Sequence, residues 1–128
     1  MTLPVQNQNH DQRAAEVLSK AVVRASERLG IKGSARSKVL GVSAPTVSRM
    51  FKGAYTLNPR SKEWDFATLF VRVYRSLDSI VGNDETARQW LRSDNLDLGA
   101  KPIDLLTRTE GIVYVSQYLD ASRGINGG

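Results

Sequence analysis

The sequence contains no cysteine and a single histidine, His10, among its 128 residues. The lack of cysteine excludes disulfide bonds, thiolate metal sites and cysteine nucleophiles, and it favours a reducing, cytoplasmic location. His10 has no partner at a spacing that would form a catalytic pair, and the chain has no glycine-rich phosphate loop. We therefore expect a protein that is not an enzyme, with no metal site and no cofactor.

Long apolar runs are also missing. No stretch approaches the roughly 20 apolar residues that a helix needs to cross a bilayer, so we expect no contact with a membrane. Residues 1–10 are polar and have neither the basic nor the apolar region of a signal peptide. We expect residues 1–11 to be a flexible tail, and the remaining chain to be long enough for two small helical modules that share one core.

The positive charge is concentrated in the first half of the chain. Residues 1–60 contain ten Lys or Arg against three Asp or Glu, a net charge of +7, whereas residues 61–128 contain eight against ten, a net charge of −2. Clustered cations favour nucleic acid, because they release counterions from its phosphates. The charge alone fits a DNA-binding surface and an ordinary basic surface about equally well.

Apolar residues recur at steps of three and four along most of the chain, which predicts an all-α fold. No pair of strands with a hairpin signal occurs. The predicted helices cover residues 12–29, two short stretches between 33 and 53, 61–81, 83–93, 103–106 and 107–122. Residues 54–60 are expected to form a linker between a module at 12–60 and a module at 61–122, and residues 123–128 a flexible C-terminal tail.

The sequence makes specific predictions for two helix starts and for one apolar seam. Ser61 is predicted to cap the long helix, and Thr107-x-x-Glu110 has the pattern of a capping box for the last helix. The long helix presents a seam from Phe66 to Ile80 with a heptad-like spacing. That seam fits both a dimer interface and the core of a monomer.

The segment at residues 35–50 has the spacing of a helix-turn-helix. Gly41 is suited to the left-handed conformation that ends a helix, Ser43 to the capping of the next one, and Pro45 to its first turn. We expect Val47 and Met50 to face the first helix. The residues predicted to contact DNA are Ser43, Ala44, Thr46, Ser48, Arg49 and Lys52.

The stretch LGVSAPTVSR, which ends at Arg49 and is followed by Gly53, resembles the helix-turn-helix motif of the Cro/Xre family. The resemblance implies a second helix that lies in the major groove of DNA. In the major groove, Arg49 is expected to pair with guanine or to hold a phosphate. The sequence departs from the family at Ala44, which offers only a methyl contact where Gln is frequent. Arg36 stands where the family usually has an apolar residue, and Ser37 where it usually has Ala. The first helix of the motif could therefore be shifted or frayed.

The second half resembles the C-terminal domain of the Xre/MbcA/ParS antitoxin family. The matching residues, in order, are Ala87, Trp90, Leu91, Asn95, Leu98, Gly99, Pro102, Ile103, Asp104, Leu105, Leu106, Gly111 and Gly124. From the residues alone, Gly99 and Pro102 predict a sharp turn and Gly111 a close approach of another backbone. Trp90 and the three leucines at 91, 105 and 106 are packing residues on the same grounds.

The antitoxin resemblance implies a partner, namely a toxin with a RES domain that consumes NAD or modifies a protein with its ADP-ribose. It also implies that the C-terminal helix and tail cover the active site of that toxin. The predicted toxin-binding residues are Tyr118, Ser122, Arg123, Gly124 and Ile125. We further expect autorepression at an operator, a homodimer, and a larger hetero-oligomer with the toxin. The alternative is a stand-alone repressor whose C-terminal half only dimerises.

Overall fold

The structure, a computed structural model, describes residues 5–124 of the chain. That part contains helices and turns and no strand, apart from one isolated bridge between Asn95 and Ala100. Its helices are α1 (Val5–Arg28), α2 (Ser34–Leu40), α3 (Ala44–Phe51), α4 (Lys62–Val81), α5 (Asp84–Arg92), α6 (Pro102–Leu105) and α7 (Thr109–Gly124). The predicted all-α fold, with an N-terminal helix-turn-helix followed by a C-terminal helical module, is confirmed.

Helix α4 lies at the centre of the fold and packs against α1, α2, α5 and α7. The middle of its apolar seam is buried, with Phe70, Val73 and Leu77 at most 2% exposed. The end of the seam is not, since Ile80 is 45% exposed. Most of the seam is therefore core, and α4 joins the two halves of the chain through one continuous set of apolar contacts.

Helix α1 begins at Val5, inside the segment at residues 1–11 that the sequence predicts to be a flexible tail. The helix continues towards the N-terminus because residues 5–11 contain no Gly or Pro that would interrupt it. Once the packed part of α1 has formed, each further residue adds a hydrogen bond without a new nucleation cost. Helical structure thus extends into residues 5–11, which the sequence predicts to be a flexible tail.

The linker between α3 and α4 is packed rather than loose. Leu57 is 1% exposed, and its backbone N–H donates to Ser19 Oγ on α1 at 2.9 Å. Tyr55 donates its hydroxyl proton to Glu63, and Asn58 N–H donates to the same carboxylate oxygen at 2.8 Å. Burial, followed by the bond to Glu63, raises the pKa of Tyr55 to about 12. Glu63 therefore holds the linker against the start of α4.

Two predicted helix caps differ in the structure. Ser61 is at the N-cap of α4, but its hydroxyl donates to Asn58 O and does not cap the helix. The capping box at Thr107 does not form, because the chain continues the turn of α6 and Thr107 Oγ1 donates to Asp104 O. Helix α7 instead begins at Thr109.

The end of α7 also lies later than predicted. It continues through Arg123 and Gly124, which the sequence assigns to a flexible tail. Both residues are exposed, and Ser122 Oγ donates to Tyr118 O within the last turns at 2.9 Å. The predicted contact residue Ile125 lies outside the described residues.

Candidate functional site

The start of α3 is built as the sequence predicts. Ser43 has an extended backbone and accepts a hydrogen bond from Thr46 N at 3.3 Å, so it caps the helix. Gly41 has φ of 69°, the left-handed conformation that ends α2. A Cβ at Gly41 would also lie 3.1 Å from the Phe66 ring of α4. The turn between the two helices therefore requires glycine both for its dihedral angles and for close packing.

The two faces of α3 differ sharply. Val47 and Met50 are 6% and 3% exposed and pack inward, as predicted. Of the six residues predicted to contact DNA, Thr46 is half-buried and the others are exposed, namely Ser43, Ala44, Ser48, Arg49 and Lys52. The outer face is thus made of small polar or apolar side chains at its start and of two cations further on. That order suits a helix inserted into a major groove.

Arg49 is partly oriented by its own helix. Its Nη2 donates to Thr46 Oγ1 at 3.2 Å, and Thr46 Oγ1 is 2.9 Å from Ser43 Oγ. The contact uses one edge of the guanidinium group, and the group has five N–H donors in all. The hydrogen bond to Thr46 therefore holds Arg49 above the start of α3. The remaining N–H donors of Arg49 are available for a guanine edge or a phosphate.

Arg36 has a structural role. Its Nε donates to Ile31 O at 2.7 Å and to Ser26 Oγ at 3.1 Å, and its guanidinium carbon lies 3.8 Å from the centre of the Phe51 ring. These contacts tie α2 to the end of α1 and to α3. Helix α2 is accordingly formed over seven residues, and the fraying that the sequence left open is not observed.

The stretch of chain that contains α3 has basic but no acidic residues. No Asp or Glu occurs between Glu27 and Glu63, a stretch that spans α2, the turn, α3 and the linker. Lys32, Lys38 and Lys52 are exposed within it. Because acidic side chains are absent from this stretch, the local field favours phosphates more strongly than the total charge of the chain suggests.

Two turns organise the second half. A Cβ at Gly111 would overlap the carbonyl oxygen of Leu105, so the α6–α7 contact requires glycine, as the sequence predicts. Between α5 and α6, Gly99 has φ of 76° and donates to Asn95 O at 2.8 Å, while Asn95 Oδ1 accepts from Leu98 N at 3.0 Å. The turn at residues 95–100 is therefore sharp and internally hydrogen-bonded.

Aromatic side chains connect this turn to α7. The rings of Trp90 and Tyr118 stack with centroids 6.5 Å apart. Tyr118 donates its hydroxyl proton to Asp97 Oδ2 at 2.9 Å, and Tyr114 donates to Asp97 O at 3.3 Å. The hydrogen bond to Asp97, followed by burial, raises the pKa of Tyr118. Leu91 and Leu106, at 0% and 1% exposure, are packing residues, as expected.

The residues predicted to bind a toxin do not form one patch. Tyr118 and Ser122 are one turn apart on α7, and Tyr118 contacts Asp97. Arg123 follows Tyr118 by five residues, which turns it by about 140° around the helix. It lines a groove of about 630 Å³ between α1 and α4, with Val17 and Arg75. Arg123 also lies 3.5 Å from Asp120, which pairs with Arg72 at 2.7 Å.

Leu96 and Asp97 lie in the turn between α5 and α6 and are not among the residues that the sequence predicts to bind a partner. Leu96 is 98% exposed at the tip of the turn, although it is a large apolar residue. Its position between Asn95 and Asp97, in a segment of turn-forming residues, was the available signal. Over the described residues, no group of three His, Asp or Glu is placed to hold a metal ion. In the same range no helix is long and apolar enough to cross a membrane.

Comparisons with known protein families agree with both halves of this description. A family model for the antitoxin Xre-like helix-turn-helix domain matches residues 8–72. A second family model matches residues 76–124 and describes the antitoxin Xre/MbcA/ParS C-terminal toxin-binding domain. None of the curated proteins matches the chain. The first match covers most of α1, all of α2 and α3 and about half of α4, and the second covers the end of α4 and all of α5 to α7.

Proposed function

Because the chain belongs to the Xre family of antitoxins, we propose that it is the antitoxin of a type II toxin–antitoxin system whose toxin is a RES-domain, NAD-consuming protein. The observation that carries this proposal is the combination of two surfaces in one small chain. One is the basic outer face of α3, and the other is the end of α7 with the turn beside it. The protein would act in the cytoplasm, where its operator lies, without a catalytic role or cofactor of its own.

The first activity is repression of the operon that encodes the chain. Helix α3 would lie in the major groove, with Arg49 and Lys52 on bases or phosphates and Ser43, Ala44, Thr46 and Ser48 close to the DNA. The capped and oriented start of α3 supports this role, as does the stretch of chain without acidic residues. A homodimer would place two copies of α3 on two half-sites.

The second activity is neutralisation of the toxin. The end of α7, with Tyr118, Ser122, Arg123, Gly124 and Ile125, would cover the active site of the RES domain. Arg123 is the sharpest candidate, because a guanidinium group can fill a polar substrate pocket as a planar donor. Its side chain is 46% exposed, and its pairing at 3.5 Å with the shared carboxylate of Asp120 is loose enough to exchange for a partner on the toxin.

Co-expression with the product of the adjacent gene tests both activities. Arg49→Ala should weaken operator binding at least about tenfold and leave neutralisation intact. Removal of residues 123–128 should do the reverse. Arg108→Ala, which removes an exposed cation at the start of α7, is the matched control for charge and should leave DNA binding unchanged.

The outcomes separate the parts of the proposal. If the shortened chain still rescues cells that express the toxin, the covering role of the C-terminal end is wrong. If the full chain neither binds nor rescues, the chain is a repressor whose second half only dimerises. A DNA affinity that stays flat between low and physiological salt would contradict phosphate binding by α3.

A further inference from the structure

Leu96 is the most exposed large apolar side chain among the residues whose burial the structure describes. It is 98% exposed, compared with 61% for Val17, 46% for Tyr114 and 45% for Ile80. The turn does not need Leu at this position, because Asn95 and Gly99 make its hydrogen bonds and Leu98 packs inward. Leu96 therefore adds almost no buried apolar surface to the fold and is free to be buried by a partner.

The turn holds Leu96 in a defined place. The bonds between Asn95, Leu98, Gly99 and Ala100 close the turn on itself. Asp97, the next residue, fixes the turn to α7 through the hydroxyl groups of Tyr114 and Tyr118. The backbone of such a turn loses little conformational entropy when Leu96 binds, which favours its use as an anchor in a protein interface.

The surroundings of Leu96 indicate which kind of partner fits. Asp94 and Asp97 are exposed within two residues on either side, and Lys101 lies at the far end of the turn. The acidic flanks disfavour nucleic acid. They also disfavour a two-fold contact with a second copy of the chain, because the same carboxylates would face each other across the axis. The fitting partner is a protein with an apolar pocket and a basic rim.

We propose that Leu96 is an anchor that inserts into such a pocket on the toxin, next to the covering contact made by the end of α7. This inference rests on the proposed antitoxin function and adds a second contact surface to it. The turn lies on the side of α7 that carries Tyr114 and Tyr118, which hold it through Asp97, whereas Arg123 lies on another side near the end of the same helix. The anchor provides affinity, whereas the end of α7 blocks the active site.

The natural absence of cysteine allows a direct test in the full chain. Leu96→Cys and Ile80→Cys each introduce a single thiol at an exposed apolar position, one in the turn and one on α4. Both thiols should react with a maleimide in the free antitoxin. In a purified complex with saturating RES-domain protein from the adjacent gene, the thiol from Leu96→Cys should be protected at least about tenfold, and that from Ile80→Cys about twofold or less.

A second pair of variants tests the energetic role of the side chain. Leu96→Lys should weaken toxin binding at least about tenfold, whereas Leu96→Met keeps an apolar side chain and should stay within about twofold of the original affinity. Ile80→Lys controls for the added charge and should not weaken binding. Operator binding by Leu96→Lys should be unchanged, which shows that the variant is folded.

The possible outcomes distinguish failure of the Leu96 anchor from failure of the antitoxin function. If the complex forms and the thiol from Leu96→Cys stays fully reactive, the anchor is wrong while the antitoxin function stands. If the full chain does not bind the RES-domain protein at all, both proposals fail. Protection of the thiol at high concentration without any toxin would identify a second copy as the occupant and overturn the assignment to the toxin.

Discussion

Arg92 Nη2, on the last turn of α5, donates a hydrogen bond to the backbone carbonyl of Gly30 at 2.9 Å. Gly30 follows α1 and precedes the helix-turn-helix. A second arginine of α5, Arg88, donates to Arg28 O at 2.7 Å. The toxin-binding half therefore supplies donors for carbonyl groups that the end of α1 leaves without helical partners.

The double variant Arg88→Ala and Arg92→Ala tests this link between the halves. It should lower the free energy of unfolding by about 1 kcal/mol per lost hydrogen bond. Urea unfolding followed by circular dichroism measures the change. Arg108→Ala removes an exposed cation without such a bond and should change stability by less than about 0.5 kcal/mol. Equal losses in the two proteins would contradict the link.

Replacement of Arg36 by lysine tests the tie within the helix-turn-helix. Lysine cannot reproduce the planar contact with Phe51 together with the bonds to Ile31 and Ser26, so we expect a loss of about 1–2 kcal/mol in the free energy of unfolding. Lys38→Arg on the exposed side of the same helix is the reciprocal control and should be neutral. If Arg36→Lys is also neutral, the contacts of Arg36 do not stabilise the fold.

Gly111→Ala tests the close contact between α6 and α7. The added methyl group would overlap the Leu105 carbonyl, so the helices must separate and stability should fall by at least about 2 kcal/mol. Gly124→Ala is the matched control in the same helix, because nothing lies within 4 Å of a Cβ there. Its melting temperature should not fall. Similar melting temperatures for the two variants would refute the contact.

Tyr55 predicts a late step in an alkaline titration. Its pKa is raised to about 12 in the folded protein, from about 10 in an unfolded chain. The stabilisation from its neutral, hydrogen-bonded form is therefore complete below pH 10 and is lost as the pH rises from about 10 to 12. Absorbance at 295 nm after a rapid pH jump follows the phenolate directly.

Two variants assign that step. Tyr55→Phe should remove the absorbance change near pH 12. Glu63→Gln should lower the pKa of Tyr55 only part of the way towards 10, because burial remains as the larger cause. A loss of amplitude near pH 10 in Tyr55→Phe would show that this hydroxyl group is not perturbed.

The helix-turn-helix could be predicted in detail because its determinants lie close together in the chain. The cap at Ser43, the turn at Gly41 and the inward Val47 and Met50 follow from residues within ten positions of one another. The role of Arg36 could not be predicted, because its aromatic partner Phe51 lies on another helix.

In the second half of the chain, the preceding turn overrides a helix start that the local sequence predicts. The capping box at Thr107 competes with a turn that continues from α6, in which Thr107 Oγ1 donates to Asp104 O, and α7 starts at Thr109. The β-branched stretch that begins at Ile112 is helical, as predicted, and its residues Ile112 and Val115 pack into the core. The exposure of Leu96 became visible only once the turn was placed against α7.

The most direct test of the central claim is the rate of NAD consumption by the RES-domain protein from the adjacent gene, measured with one equivalent of the full chain. We expect the full chain to suppress the reaction. A chain that lacks residues 123–128 should bind the enzyme through the Leu96 turn but leave NAD consumption largely intact. An unchanged rate with the full chain, under conditions where the enzyme alone is active, would contradict neutralisation of the toxin by this protein.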